Sequence, residues 1–333
     1  MTSEGRSWMA REIAEIPGVA RQLCEPEAQA DFGNTGDWIR DLNPTSIVTI
    51  ARGSSDHAAT CLKYAIELVA GLPVASIGPS IASIYDAPLR LDNVLALAIS
   101  QSGGSEDLLS LTHAVQSAGG HTLTLTNTKH SPLAAASPHY LDIAAGPEHA
   151  VAATKSYTNS ILSGLWVLAH WRNDTGLGDA LRALPAQLDQ AMTVDIAPLA
   201  AEFSSLDRLV VLARGPNLGI AKEIALKAME VCAIPATAYS SAEVLHGPSA
   251  ILKDGYPVLA IGGTKHNGMA DTLEKLKRQG ARVLPPIPND PSHVAIPALD
   301  SLVPVYRAME AASRTKGMNP DKPENLRKVT NTV

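Results

Sequence analysis

Cysteine is scarce in this sequence, long apolar runs are missing, and positive charge is never concentrated. Cys24, Cys61 and Cys232 are widely spaced, odd in number and outside any CxxC pattern, so neither a disulfide framework nor a zinc knuckle is indicated. They are read as reduced thiols in a cytoplasmic protein. The longest strong apolar run, Val94 to Ile99, is far too short to span a bilayer. Met1 to Ile16 alternates charged with apolar residues and lacks the continuous apolar stretch of a signal peptide, so export and membrane insertion are both disfavoured. Lys and Arg number 27 against 33 Asp and Glu, a net charge of −6 with no basic block, and no nucleic-acid partner is expected. Aromatics make up only 4%, so the 45% of apolar residues rests on Ala, Leu, Ile and Val. That composition is globular and excludes disorder, collagen and coiled coil.

What the sequence does contain is a repeat. Its 333 residues favour about two domains. Ser46-Ile-Val-Thr-Ile-Ala-Arg-Gly53 returns as Arg208-Leu-Val-Val-Leu-Ala-Arg-Gly215, an offset of 162 residues that also places Leu97-Ala98-Ile99 on Leu259-Ala260-Ile261. A slightly smaller offset sets His121 to Leu125 over Ala281 to Pro285. So long a period means duplication of a whole domain, since solenoid repeats run to only ~20 to 50 residues.

Within each copy, short β-branched or Leu-rich runs alternate with segments of helical spacing. Copy one predicts strands at Ile47 to Ile50, Val74 to Ile77, Val94 to Ile99 and Thr122 to Thr126, with helices at Asp56 to Val69 and Glu106 to Ala118. Copy two predicts strands at Leu209 to Leu212, Val258 to Ile261 and Arg282 to Leu284, and helices at Asn217 to Cys232 and His266 to Gln279. Helices at Lys155 to Trp171 and Gly178 to Met192 stand between the copies, joined by a turn at Asn173-Asp174-Thr175-Gly176. Strands apolar on both faces belong to a parallel sheet covered by helices on each side. The expected fold is therefore α/β, two tandem doubly wound parallel sheets, each a three-layer sandwich. The expected divisions are an N-terminal helical segment over 1–44, domains over 45–195 and 196–313, and a tail over 314–333 that composition alone reads as frayed.

Ligands of open parallel sheets bind at the carboxyl ends of strands. Two hydroxyl-rich loops fall there, Gly53-Ser54-Ser55-Asp56 and Ser100-Gln101-Ser102-Gly103-Gly104-Ser105, each leading into a helix. Small hydroxyls, glycine and helix N-terminal N–H groups make a phosphate site without a cation. The bland alternative is that Ser54 and Ser105 are ordinary N-caps. Copy two lacks these serines. It carries Glu223, Lys227 and Glu230 at spacings of four and three, hence on one helix face. For Glu223 with Lys227 a solvated ion pair is the plain reading, whereas Glu230 sits among apolar residues and is either paired or raised in pKa for general-base work. His246 precedes a Gly-Pro break and so ends a short helix; it is either structural or able to open a cyclic sugar by moving the ring proton.

These residues resemble the double sugar isomerase (SIS) domain family, in particular the isomerase half of glucosamine-6-phosphate synthase and the SIS-type glucosamine-6-phosphate deaminases. The motifs, in order, are Ala51-Arg-Gly-Ser-Ser55, Ile99-Ser-Gln-Ser-Gly103, Val151-Ala-Ala-Thr-Lys155, Glu223-Ile-Ala-Leu-Lys-Ala-Met-Glu230, Ala242-Glu-Val-Leu-His-Gly-Pro248 and Asp321-Lys-Pro-Glu-Asn-Leu-Arg-Lys328. The resemblance implies that Ser55, Ser100, Gln101, Ser102 and Ser105 bind a sugar phosphate, with Ser54 and the Val151 backbone alongside. It implies that Glu230 shuttles a proton between C1 and C2, supported by Lys227 and Glu223, and that His246 opens the ring, acting in a neighbouring subunit's site. Lys328 would lie against the open-chain sugar, which makes the tail a lid.

The implied activity is conversion of glucosamine 6-phosphate to fructose 6-phosphate and ammonia by a homodimer without a metal or redox cofactor. The synthase carries a glutaminase domain, whereas this chain enters the isomerase region within its first dozen residues, so production of glutamine-derived ammonia is not expected. Where the synthase loop usually reads Ser-Gln-Ser-Gly-Glu-Thr, this chain has Gly104 and Ser105, which loosens substrate identity. The alternatives are action on another phosphorylated sugar such as a fructosamine 6-phosphate, and a non-catalytic sugar-phosphate sensor. Against the sensor stand the absence of a DNA-binding segment and the joint presence of Glu230, His246 and Lys328.

Overall fold

A computed structural model describes residues 5–262, 268–287, 289 and 292–328. Helices α1 (Trp8–Gln22) and α2 (Pro26–Leu42) come first. They are followed by β1 (Ser46–Ile50), α3 (Ser54–Val69), β2 (Val74–Ser76), α4 (Ser80–Ser83), β3 (Val94–Ser100), α5 (Glu106–Ser117), β4 (His121–Thr126), α6 (Pro132–Ala136), β5 (His139–Asp142) and α7 (Lys155–Arg172). Next are α8 (Thr175–Ala191), α9 (Ala197–Ser205), β6 (Leu209–Ala213), α10 (Asn217–Cys232) and β7 (Ala236–Ser240). Two single-turn 3-10 helices, Glu243–His246 and Pro248–Ile251, lead to β8 (Pro257–Ala260), α11 (Met269–Arg278), β9 (Arg282–Val283) and α12 (Leu299–Thr315).

Two compact units emerge. One gathers Ile16–Glu148, Lys155–Pro185 and the tail from Arg327; the other gathers residues up to Glu15, His149–Thr154 and Ala186–Leu326. Each holds one all-parallel sheet, in the orders β2-β1-β3-β4-β5 and β7-β6-β8-β9. The repeat in sequence is thus a repeat of topology, because β1, β3 and β4 match β6, β8 and β9 in place and in neighbours. The fold is α/β, with two parallel sheets flanked by helices.

Burial explains the strand sequences. All seven residues of β3 are buried, as a central strand covered on both faces requires. On one face Val48, Ile50, Ala96 and Ala98 pack with Leu108, Leu111 and Val115 of α5. In the other unit Val210, Leu212 and Val258 pack with Met269, Leu273 and Leu276 of α11. Helix α7 is buried nearly all round, and its Asn159 side chain donates to the Val19 and Ile143 carbonyls at 3.3 and 2.9 Å.

Three sequence expectations need adjustment. The turn predicted over Asn173 to Gly176 is half helix: α8 begins at Thr175 because the Asp174 carboxylate accepts the Leu177 N–H at 2.9 Å and caps it. Two edge strands, β5 and β7, were not predicted. Their sequences, His-Tyr-Leu-Asp and Ala-Thr-Ala-Tyr-Ser, lack an apolar run because each lies at a sheet margin and is only partly buried. The predicted helix from His266 is observed from Met269; His266 and the end of the tail, 329–333, lie outside the described residues. Among the described residues no helix is long and apolar enough to cross a membrane.

Candidate active site

The first cluster sits where strand order reverses. β1 turns one way to β2, while β3 leads the other way to β4, so the crevice for a ligand opens beyond the carboxyl ends of β1 and β3. Both hydroxyl loops leave these two strand ends, whose register sets Ile50 beside Ala98. Ser54 opens α3, after Gly53 at φ 55°, and Ser55 follows it. Ser105 occupies the N-cap position of α5, yet makes no side-chain cap hydrogen bond. Its hydroxyl is therefore not spent in the manner of an ordinary cap.

The second loop is folded on itself. Ser100 Oγ accepts the Gly103 N–H at 3.1 Å and Ser102 Oγ accepts the Gly104 N–H at 3.3 Å. A hydroxyl that accepts an N–H keeps its own proton to donate, which is what a phosphate oxygen needs. The Gln101 carbonyl accepts the Asn127 N–H at 3.2 Å and the Thr128 hydroxyl at 3.3 Å, fixing the loop to the residues after β4. Gly103 has φ 59°, and a Cβ there would stand 2.1 Å from Ser131 Oγ, so only glycine fits.

The sequence reading overlooked the pair that joins the two loops. Arg52, in the first motif, donates from Nε to the buried Asp107 carboxylate in the first turn of α5. Asp107 Oδ1 also accepts its neighbour's N–H, from Leu108, at 2.9 Å. Arg52 lies in the Ala51–Ser55 motif, but its partner, 55 positions on, follows from nothing local.

A third overlooked residue is Glu148. Its side chain is fully buried, and it accepts from Ser156 Oγ at 2.6 Å, from the Ser156 N–H at 3.3 Å and from Lys328 Nζ at 3.4 Å. The tail lysine thus meets a carboxylate from the loop that precedes α7. Val151 stands three residues after Glu148, and its N–H donates to the Asp321 carbonyl at 2.9 Å. The backbone group that Val151 can offer a ligand is therefore its carbonyl.

The second cluster lies on α10. Lys227 is completely buried between Glu223 Oε1 at 3.0 Å and Glu230 Oε2 at 2.8 Å. Glu223 is equally buried, while Glu230 keeps 21% of its side chain exposed. The expectation of a solvated ion pair for Glu223 and Lys227 is corrected: the pair faces the interior, where α10 packs against α12 and the Tyr306 hydroxyl donates to Glu223 Oε1 at 3.2 Å. Glu230 is paired with Lys227, and the exposed part of its side chain leaves it able to meet a ligand. Burial by itself would lower the pKa of Lys227, but the two carboxylates outweigh it and hold the ammonium above the ordinary lysine range. A fixed cation beside Glu230 orients a carboxylate whose outer part remains open.

His246 ends the first 3-10 turn, as its Gly-Pro break predicts, and is exposed. Among the described residues no group of three or more His, Cys, Asp or Glu gathers as a metal site.

Comparison with known proteins supplies the family. The SIS domain family model matches residues 42–170. A crystal structure from Silicibacter pomeroyi DSS-3, described as a candidate phosphosugar isomerase, is 40% identical and covers 95% of this chain and all of its own, with a TM-score of 0.87. The glutamine–fructose-6-phosphate aminotransferase (isomerizing) of Gloeobacter violaceus is 31% identical over 97% of this chain but only 58% of its own length. The chain thus spans under two thirds of the curated relatives it matches. The glucosamine-6-phosphate deaminase of Thermotoga maritima shares the fold at 21% identity, with a TM-score of 0.76 over 98% of this chain and all of its own. The protein belongs to the SIS-domain phosphosugar family, related in sequence to the isomerising aminotransferases and in fold to the deaminase.

Proposed function

We propose that the protein is a phosphosugar aldose–ketose isomerase with deaminase activity, converting glucosamine 6-phosphate and water to fructose 6-phosphate and ammonia. The observation that carries this reading is the Glu223–Lys227–Glu230 cluster: Lys227, itself fixed by buried Glu223, orients a Glu230 carboxylate that stays partly open and so can reach a substrate proton.

On this reading Ser55, Ser100, Gln101, Ser102 and Ser105 take the phosphate, with Ser54 and the Val151 carbonyl alongside. His246 moves the ring proton that opens the sugar; exposed in the single chain, it would serve the site of a second copy in a homodimer. Glu230 removes the C2 proton of the open-chain aldehyde to give an enolamine and returns a proton to C1. The product is the C2 imine, which water hydrolyses to the ketone and ammonia. Lys227 and Glu223 keep Glu230 in place. Lys328, held by Glu148, contributes its ammonium beside the open chain. A fructosamine 6-phosphate is the second reading, favoured by Gly104, which presents no side chain where the synthase loop carries Glu.

The test is product analysis of purified protein with glucosamine 6-phosphate, glucose 6-phosphate and a fructosamine 6-phosphate in parallel. Equimolar ammonia and fructose 6-phosphate from the first substrate is the expected result. Turnover of the fructosamine alone moves the assignment to the second reading. Binding of all three without turnover contradicts the glucosamine 6-phosphate assignment and favours a sensor or an enzyme of another sugar phosphate.

A further inference from the structure

Three consecutive backbone N–H groups enter the Val151 motif, and two acidic residues take all of them. His149 and Ala150 donate to the Glu12 carboxylate, Ala150 at 3.2 Å, and Val151 donates to the Asp321 carbonyl. Glu12 is 2% exposed and lies on α1. The start of α1 is held by Asp321 again, through its side chain: Oδ2 accepts the Trp8 N–H at 2.9 Å and Oδ1 accepts the Met9 N–H at 2.8 Å. The next N–H, from Ala10, goes to Ser7 Oγ at 3.0 Å.

A helix leaves its first N–H groups without partners, and the residue just before it commonly caps them. In α1 that local cap, Ser7, serves only the third. The first two are served by a carboxylate 313 and 312 positions away, in a tail whose described residues after Thr315 form no helix or strand. An anion at this helix end is also favoured by the macrodipole. This distant cap ties three segments together at a single residue: the head of α1, the loop that follows Glu148, and the tail that reaches Lys328 seven residues later.

We propose that Asp321 is a positioning residue, a latch that sets the register of the tail against α1 and the Val151 backbone and thereby places Lys328 and Glu148 for the reaction. The proposal rests on the function proposed above. Both Asp321 carboxylate oxygens are engaged by the Trp8 and Met9 N–H groups, so on this proposal its loss affects the placement of reacting groups and leaves the phosphate loops as they are.

The experiment compares wild type with Asp321→Ala and Asp321→Asn, measuring kcat and KM together with hydrogen exchange at the Trp8, Met9 and Val151 amides. Misplacement of reacting groups by about 1 Å costs on the order of a hundredfold. Asp321→Ala should therefore lose roughly ten- to a hundredfold in kcat with KM little changed. Its Trp8 and Met9 amides should exchange faster, and so should Val151, whose acceptor is backbone and is not itself removed. Asp321→Asn, which keeps one acceptor oxygen, should recover part of kcat; it also decides the matter if Asp321→Ala fails to fold. Faster exchange with kcat unchanged would make Asp321 a stabilising cap and overturn the proposal. Unchanged exchange at Val151 would overturn it too. Absence of turnover by the wild type would instead overturn the functional reading, and the exchange data would still decide whether the latch exists.

Discussion

Lys227 is a fully buried cation held between two carboxylates. Replacing one member of a buried ion pair leaves the other charge uncompensated, at a cost of about 3–5 kcal/mol. Lys227→Met should therefore fall by about that much in urea unfolding, and Glu223→Gln in the same chain should restore part of it. Equal stability of Lys227→Met and wild type would contradict the buried-cluster account. The pH sign follows from the raised pKa of Lys227. Its stabilisation is complete below the unfolded value of about 10.4 and is lost as pH rises through the higher folded value. Lys227→Met should lose stability at neutral pH and lack that alkaline decline. Cys232 offers an independent check, since burial pushes its thiol up to about 12, only partly offset by Lys316. In the folded protein at pH 8 it should resist thiol reagents until unfolding exposes it; labelling of Cys232 at the rate of the half-buried Cys24 would refute this.

Among elements, the loop after β3 is the most exacting. Gly103→Ala forces a left-handed φ on a residue with a Cβ and drives that Cβ into Ser131 Oγ. The variant should lose phosphosugar affinity tenfold or more, because a good hydrogen bond to a charged group contributes ~1.5–3 kcal/mol and the proposed function has several from this loop. Calorimetric titration with the substrate, or with inorganic phosphate as a weaker probe, measures it; unchanged affinity would remove this loop from phosphate binding.

The central strands, α3, α5 and α10 could be read from sequence because burial on both faces writes a continuous apolar run, and because glycine and serine punctuate each strand end. β7 could not, since its partly exposed residues carry no period. The hydroxyl loops were legible for a related reason: local spacing places them at strand ends. Arg52 with Asp107, Glu148 with Lys328, and Tyr306 with Glu223 were not, for each pair joins residues 55 to 180 positions apart and only the folded chain brings them together. The depth of Glu223 and Lys227 was misjudged because an i,i+4 pair looks the same in sequence whether it faces solvent or α12.

At the scale of the whole molecule the two copies share a topology and differ in chemistry. The first keeps hydroxyls at its switch point, while the second has Arg214-Gly-Pro-Asn217 after β6 and has placed its charge on α10. Duplication thus supplied two equivalent frames, and the proposed function gives binding to one and proton transfer to the other. The tail, although its composition reads as frayed, is held by Asp321 to the Trp8, Met9 and Val151 N–H groups and by Lys328 to Glu148.

The measurement that reaches the central claim most directly is the reaction of glucosamine 6-phosphate in D2O, followed by NMR, with wild type and Glu230→Gln. A general acid–base group contributes ~10²- to 10⁴-fold. Wild type should yield fructose 6-phosphate and ammonia, and Glu230→Gln should be slowed by at least about a hundredfold in C2–H loss and product formation alike. Equal rates for the two proteins would remove Glu230 from proton transfer and contradict the account.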